Sequence, residues 1–200
     1  MENRSKWSVK DVVTTVLLSL MLIVVQFVIN MFGMVNNFVS MVLSVGITCL
    51  ICAPIYFLLV RRVRKRFVSL VYMTLLGLVF LVMGNWYLLP YFMVVGVICE
   101  IILWKNGSYD NAKRITVAWT VYSALYIGVN VIPLWVFWDT FENFAASSGM
   151  NPEYVQSYIS YYSNTGWLIF IFIFTTACGL IGSLIASKMM SRHFEKAGML

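Results

Sequence analysis

Few residues in this sequence could do chemistry, and most of them lie in or beside long apolar runs. Cys49 and Cys52 form a C-x-x-C in TCLICAP, the spacing of thiolate metal sites and redox pairs. No second pair and no histidine stand near them. The expected role is therefore that of ordinary buried small side chains, as for Cys99 and Cys178, and no disulfide framework is implied. The single histidine, His193, stands among bases near the C-terminus, so no His-based metal site or Ser–His dyad can form within the apolar part of the chain. H-E-x-x-H, G-x-S-x-G and a Gly-rich phosphate loop are all missing from the sequence, and so are paired carboxylates inside the apolar runs. These observations point to a protein that is not an enzyme, with no catalytic residues, metal or cofactor.

Glu100 is the one carboxylate embedded in an apolar run, VGVICEIILWK. A charge at the centre of a membrane helix costs about 2.5–3.5 kcal/mol, and less near the interface. Lys105 follows about one turn later, so Glu100 is expected to snorkel and pair locally with it rather than relay protons.

The elements that must position these groups follow from composition. The chain has 200 residues, 61% of them hydrophobic and 11% charged, with a mean hydropathy of +0.85. That balance describes a chain solvated by lipid. About 20 apolar residues cross the hydrocarbon core as a helix. Six such runs can be read, at 11–34, 37–60, 68–84, 88–104, 114–138 and 166–187, with a tight GNWYLLP break between the short third and fourth. The expected fold is all-α, one six-helix integral membrane domain over 1–200. The polar start MENRSKWSVKD precedes a run too long for a signal-peptide core, so the first helix is expected to stay.

All fourteen Lys and Arg fall in four groups: the N-tail, RRVRKR at 61–66, Lys105 with Lys113 and Arg114, and the C-tail. Six crossings with both termini inside put every one of them on the cytoplasmic side, as the positive-inside rule asks. The net charge of +6 then reads as topology anchoring at a plasma membrane beside anionic lipid, not as nucleic-acid binding.

On the opposite side, WVFWDTFENFAASSGMNPEYVQSYISYYS (135–163) has no Lys or Arg and is dense in aromatics and acids. Asn151, Pro152 and Glu153 make a helix start. Tyr154, Tyr158, Tyr161 and Tyr162 follow on one helical face, which predicts a short amphipathic outer helix within an outer lid over 139–165. Polar and aromatic groups gather on the same side. They include Gln26 and Asn30 late in the first helix, Asn85, Trp86 and Tyr87 in the second outer turn, and Tyr126, Asn130, Pro133, Trp135, Trp138 and Asp139 at the end of the fifth helix. The candidate substrate-binding set is Asn85, Trp86, Tyr87, Tyr126, Asn130, Trp135, Trp138, Asp139, Glu142, Tyr158 and Tyr162. An outer face with acids alone favours a neutral or cationic flat ligand that stacks on Trp and Tyr. An outer loop that binds a protein partner is the competing use of the same residues.

Small residues recur at helical spacing: Thr15 and Ser19 in the first span, and Gly179, Gly182, Ser183 and Ala186 in the last. Such steps let helices approach closely in lipid. They serve packing within the chain or docking of another membrane subunit.

With GNWYLLPYF, with PLWVFWDTF followed by MNPEYV, with the ending KMMSRHFEKAGML and with six spans in 200 residues, the chain resembles the substrate-binding membrane subunits (S components) of energy-coupling factor (ECF) transporters. The nearest branch is Trep_Strep, the MptD family. The resemblance covers essentially the whole chain. It implies a six-helix bundle that captures a small, vitamin-like nutrient or other micronutrient outside the cell. It also implies association with a membrane T component and two ATPases, and toppling to release the cargo inside. An A-x-x-x-A docking motif belongs to the first helix of that group; this chain has TTVLLSLM there, with Thr15 and Ser19 in place of the alanines.

Overall fold

The computed structural model describes residues 6–191, and among them it is all-helical, with no strand. The tail bases Arg4, Arg192 and Lys196, His193 and most of the KMMSRHFEKAGML ending lie outside the described residues. Helix α1 (Val9–Gly33) starts at a reciprocal cap: the Ser8 hydroxyl accepts from Asp11 N while the Asp11 carboxylate accepts from Ser8 N, satisfying two orphan donors at once. A π-helical turn (Val39–Leu43) runs directly into α2 (Ser44–Val63). Helices α3 (Val68–Val82) and α4 (Leu88–Leu103) form a hairpin whose turn is closed by Gly84 at φ +92°, a conformation that favours glycine. Asn111 caps α5 (Ala112–Leu125) and Asn164 caps α9 (Thr165–Met189).

Four stretches are long and apolar enough to cross a membrane: α1, the π-turn with α2, Ala112–Trp135, and α9. The apolar α3 and α4 are shorter, at 15 and 16 residues. Helix α2 is the centre of the bundle, with Cys49, Cys52, Ala53, Tyr56, Phe57, Leu59 and Val60 all devoid of exposed surface. Leu17, Val24 and Val28 on α1 and Ile173, Ile181 and Leu184 on α9 are exposed instead, as lipid-facing sides require.

The small residues serve this packing. A Cβ added at Gly182 would lie 2.5 Å from the Leu50 carbonyl oxygen and 2.8 Å from its Cα, so only glycine lets α9 approach the α2 backbone this closely. A Cβ at Gly179 would collide with Ser123 of α5. Thr15, Ser19, Gly179, Gly182, Ser183 and Ala186 are all buried inside the chain, and none of the six presents an exposed face to a second subunit here.

Two expectations change. The fifth span is not one helix to residue 138. It breaks at Tyr126–Ile127, where Val129 N donates to the Tyr126 carbonyl and Asn130 N to that of Ile127, three-residue steps that tighten the turn. A second helix, α6 (Gly128–Trp135), contains Pro133, which has no N–H for the Val129 carbonyl. The segment expected to hold one short helix holds two: α7 (Trp138–Ser147) as well as the expected α8 (Pro152–Ser163).

Glu100 is also placed differently. It is 3% exposed and does not pair with Lys105. Its carboxylate accepts from Phe67 N at 2.9 Å, Ser69 N at 2.7 Å and the Tyr109 hydroxyl at 2.6 Å. Helix α3 has no cap of its own, and its N-cap Phe67 sits at φ 71°. A carboxylate from α4 therefore caps α3 in trans, at the end of the helix where negative charge is favoured. Nearby, Arg64 bridges to Asp110 at 2.8 Å and Lys65 to Asp11 at 3.7 Å. The start of α1, the α2–α3 turn and the α4–α5 loop thus meet at one end of the bundle.

Glu100→Leu removes an acceptor shared by two backbone N–H groups and a buried hydroxyl, and is expected to destabilise by about 2–4 kcal/mol. Tyr109→Phe should cost about 1 kcal/mol, since the cap itself survives. Thermal unfolding in mild detergent measures both, and an unshifted midpoint for Glu100→Leu would sink the capping role.

Candidate ligand cavity

A cavity of ≈ 400 Å³ opens at the end of the bundle away from the Arg64–Asp110 and Lys65–Asp11 bridges. Its wall is built from the second half of α1 (Gln26, Phe27, Asn30, Met31, Met34) and the π-turn and start of α2 (Ser40, Ser44, Val45). The end of α3 (Phe80, Met83), the α5–α6 break (Tyr126, Val129, Asn130) and Tyr154 of α8 complete it. Tyr126 and Asn130, on either side of the α5–α6 break, line the same wall, as residues four apart on a helix do.

No charged side chain lines the cavity. Gln26 is 1% exposed, and its Nε2 donates to the Tyr122 hydroxyl at 2.9 Å, which is itself bonded to the Tyr72 hydroxyl at 2.9 Å. The Gln26 Oε1 is buried without a partner. Asn30 Nδ2 donates to the Gln26 carbonyl at 2.9 Å. Phe27 and Phe80, at 6.0 Å between centroids, supply aromatic surface.

Helix α8 starts where expected, with the Asn151 carbonyl oxygen of the side chain accepting from Glu153 N and Pro152 in the first turn. It is strapped beside the cavity by several ties. The Tyr158 hydroxyl donates to the Asn130 carbonyl, the Tyr162 hydroxyl to the Met41 carbonyl at 2.6 Å, and Trp135 Nε1 to the Tyr162 carbonyl at 3.1 Å. Asn37 Nδ2 adds a bond to Ser157 at 3.1 Å. Burial pushes the hydroxyls of Tyr158 and Tyr162 up from the usual tyrosine range, so they act as donors at neutral pH.

The sequence-predicted residues divide into several places. Tyr126 and Asn130 line the cavity. Tyr158 and Tyr162 lie in a separate buried cluster with Met41, Val42, Phe141 and Ile171, where Phe141 stacks on Tyr158 at 4.8 Å. Asn85 accepts from the Tyr87 hydroxyl at 2.7 Å, and Tyr87 stacks on Phe137 at 4.8 Å with Trp86 exposed beside them. Trp135 and Trp138 line an open groove with Leu134, Ile159 and Ser163. Asp139 and Glu142 are exposed on α7 and line neither space. The candidate set omitted Gln26 and Asn30, although the signal was present: two amides one turn apart in an apolar helix must find partners inside the bundle. The three methionines and two phenylalanines of the wall carried no such signal.

A family model described as "Hypothetical bacterial integral membrane protein (Trep_Strep)" matches residues 9–196. No curated protein and no solved structure matches the chain.

Because Tyr158 and Tyr162 hold α8 by single hydrogen bonds to backbone carbonyls, the double variant Tyr158→Phe, Tyr162→Phe should loosen that helix while leaving α2 intact. Hydrogen exchange is expected to rise roughly tenfold or more across 152–163 and to stay unchanged at 49–60. Unchanged protection in α8 would show that the two hydroxyl bonds are not what holds it.

Proposed function

The chain belongs to the Trep_Strep family of bacterial integral membrane proteins, and from that premise we propose that it is a substrate-capture subunit of an ATP-driven importer, an ECF S component. The observation that carries this reading is the cavity of ≈ 400 Å³ at one end of the bundle. It is roomy enough for a small nutrient, walled by aromatic and uncharged polar side chains, and flanked by a strapped helix. Pockets of about this size with a few convergent polar groups are the usual form of small-molecule sites. In this reading the chain crosses the plasma membrane six times, with α3 and α4 as short crossings and both termini inside. The grouping of the bases supports that orientation, because Arg64, Lys65 and the α4–α5 loop meet at the end opposite the cavity. The cavity then faces outward, and energy comes from a T component with two ATPases.

A second reading is a membrane protein without a transport role whose outer surface binds a protein. The open groove of Leu134, Trp135, Trp138, Ile159 and Ser163 favours it, since exposed aromatics of this kind are common at protein interfaces.

Tagged protein from its native host in mild detergent is expected to bring down a T component and ATPases. If it never does, while Trp135→Ala, Trp138→Ala abolishes capture of another protein, the second reading replaces the first. Orientation has its own measurement. In intact cells a membrane-impermeant maleimide should label Ser148→Cys and not Asn106→Cys; the reverse pattern would invert the topology.

A further inference from the structure

Among the described residues with a buried, unpaired side-chain polar atom, Gln26 is the one that lines the cavity. It is 1% exposed and lies in the cavity wall, its Nε2 is bonded to Tyr122, and its Oε1 is buried with no partner. Leaving a buried amide oxygen unpaired is unfavourable, and this one belongs to a residue of the cavity wall, where a bound molecule can satisfy it. Exchanging the two ends of the amide would pair its oxygen with the Tyr122 hydroxyl and leave its NH₂ unpaired instead. In either orientation one hydrogen-bonding end remains open.

The rest of the wall narrows the chemistry of the partner. The side-chain amide of Asn130 and the hydroxyls of Tyr126 and Tyr154 make no hydrogen bond among the described residues, and all three line the cavity. No Asp, Glu, Lys or Arg lines it, and the nearby acids Asp139 and Glu142 are exposed on α7. An ion entering such a space would lose its hydration without gaining a counter-charge. Phe27, Phe80 and Tyr126 offer ring surface, which suits a flat molecule. Met31, Met34 and Met83, exposed at the same cavity, adapt to its outline.

We propose that the cavity binds an uncharged, planar nitrogen heterocycle that presents a lactam edge, with adjacent N–H and C=O, to the Gln26 and Asn130 amides. The proposal rests on the reading of this cavity as the substrate site. A lactam edge answers an amide in both orientations, because each partner carries one donor and one acceptor side by side. The cationic ligand that the exposed acids suggested in sequence loses its support, because those acids do not reach the cavity.

The test uses the purified full-length chain in mild detergent, freed of co-purified small molecules. Binding at neutral pH is measured by thermal shift and calorimetry with four probes. Uracil and the larger lumazine are neutral lactams. Orotate is uracil bearing a carboxylate, and aminomethyluracil is uracil bearing a cationic amine. The expected result is stabilisation by at least one neutral lactam and at least about tenfold weaker binding of both charged uracils. Gln26→Leu should weaken the neutral lactam by about tenfold to a hundredfold. The melting midpoint of the ligand-free variant is measured alongside, because the substitution also removes the Gln26–Tyr122 hydrogen bond. Asn130→Ala, at the half-buried mouth, provides a second variant should Gln26→Leu disturb Tyr122, and it is expected to weaken the lactam as well.

Equal or tighter binding of orotate or aminomethyluracil overturns the proposal. So does retention of full lactam affinity by both variants, or the absence of any stabilisation across the four probes. The importer reading fails separately. A chain that binds a lactam but brings down no ATPases overturns import alone, and one that brings them down while preferring a charged probe overturns the lactam edge alone.

Discussion

The bundle depends on a carboxylate with almost no exposed surface. Glu100 collects two backbone N–H groups and a tyrosine hydroxyl, and in doing so joins α4, the start of α3 and the α4–α5 loop. It is tolerated because its oxygens are satisfied by donors that would otherwise be orphans themselves, so one burial offsets another. The same constraint organises the core. Trp119 Nε1 donates to the Cys49 carbonyl at 2.8 Å, linking α5 to α2. Tyr56 and Ser69 join α2 to α3 at 2.8 Å, and the Tyr72–Tyr122–Gln26 chain joins α3, α5 and α1. Where lipid offers no hydrogen bonds, each such tie fixes helix register more firmly than apolar contact can.

Buried polar atoms without a partner occur at both ends of the molecule, Ser108 Oγ in the α4–α5 loop and Gln26 Oε1 in the cavity wall. At the cavity, several further polar side chains line open space. The acids of α7 do not extend this pattern, because they remain on the surface. Electrostatic character and cavity chemistry are therefore separate properties of this end of the protein, one belonging to its exterior and the other to its interior.

What sequence could reveal depended on how local the cause was. Helix starts were legible where one side chain makes them: Asn151 with Pro152 opens α8, as the order of residue types required. The apolar runs marked α1, the π-turn with α2, and α9 to within a few residues. The capping role of Glu100 was not legible, because its two backbone donors lie 31 and 33 positions away, whereas Lys105 was merely close in sequence. The break at Tyr126–Ile127 also escaped notice, since Pro133 announces weakened bonding without fixing which turn yields. Aromatic density at 135–163 showed that something packs there. It could not apportion Trp135 and Trp138 to a groove, Tyr158 and Tyr162 to a cluster, and Tyr154 to the cavity, because that division is made by the angle between α6, α7 and α8.

The shortness of the α3–α4 hairpin bears on the surrounding lipid. Fifteen residues in α3 give a rise of about 22 Å, against a hydrocarbon thickness of about 30 Å. On the six-crossing reading the bilayer must thin beside this hairpin, while the 25-residue α1 and α9 suit full thickness or a tilt. The protein then sits in an asymmetric collar of deformed lipid, at a cost of fractions of a kcal/mol for each ångström of mismatch. Membrane thickness becomes a variable that acts on one side of the molecule and not the other, biasing its tilt without any ligand bound.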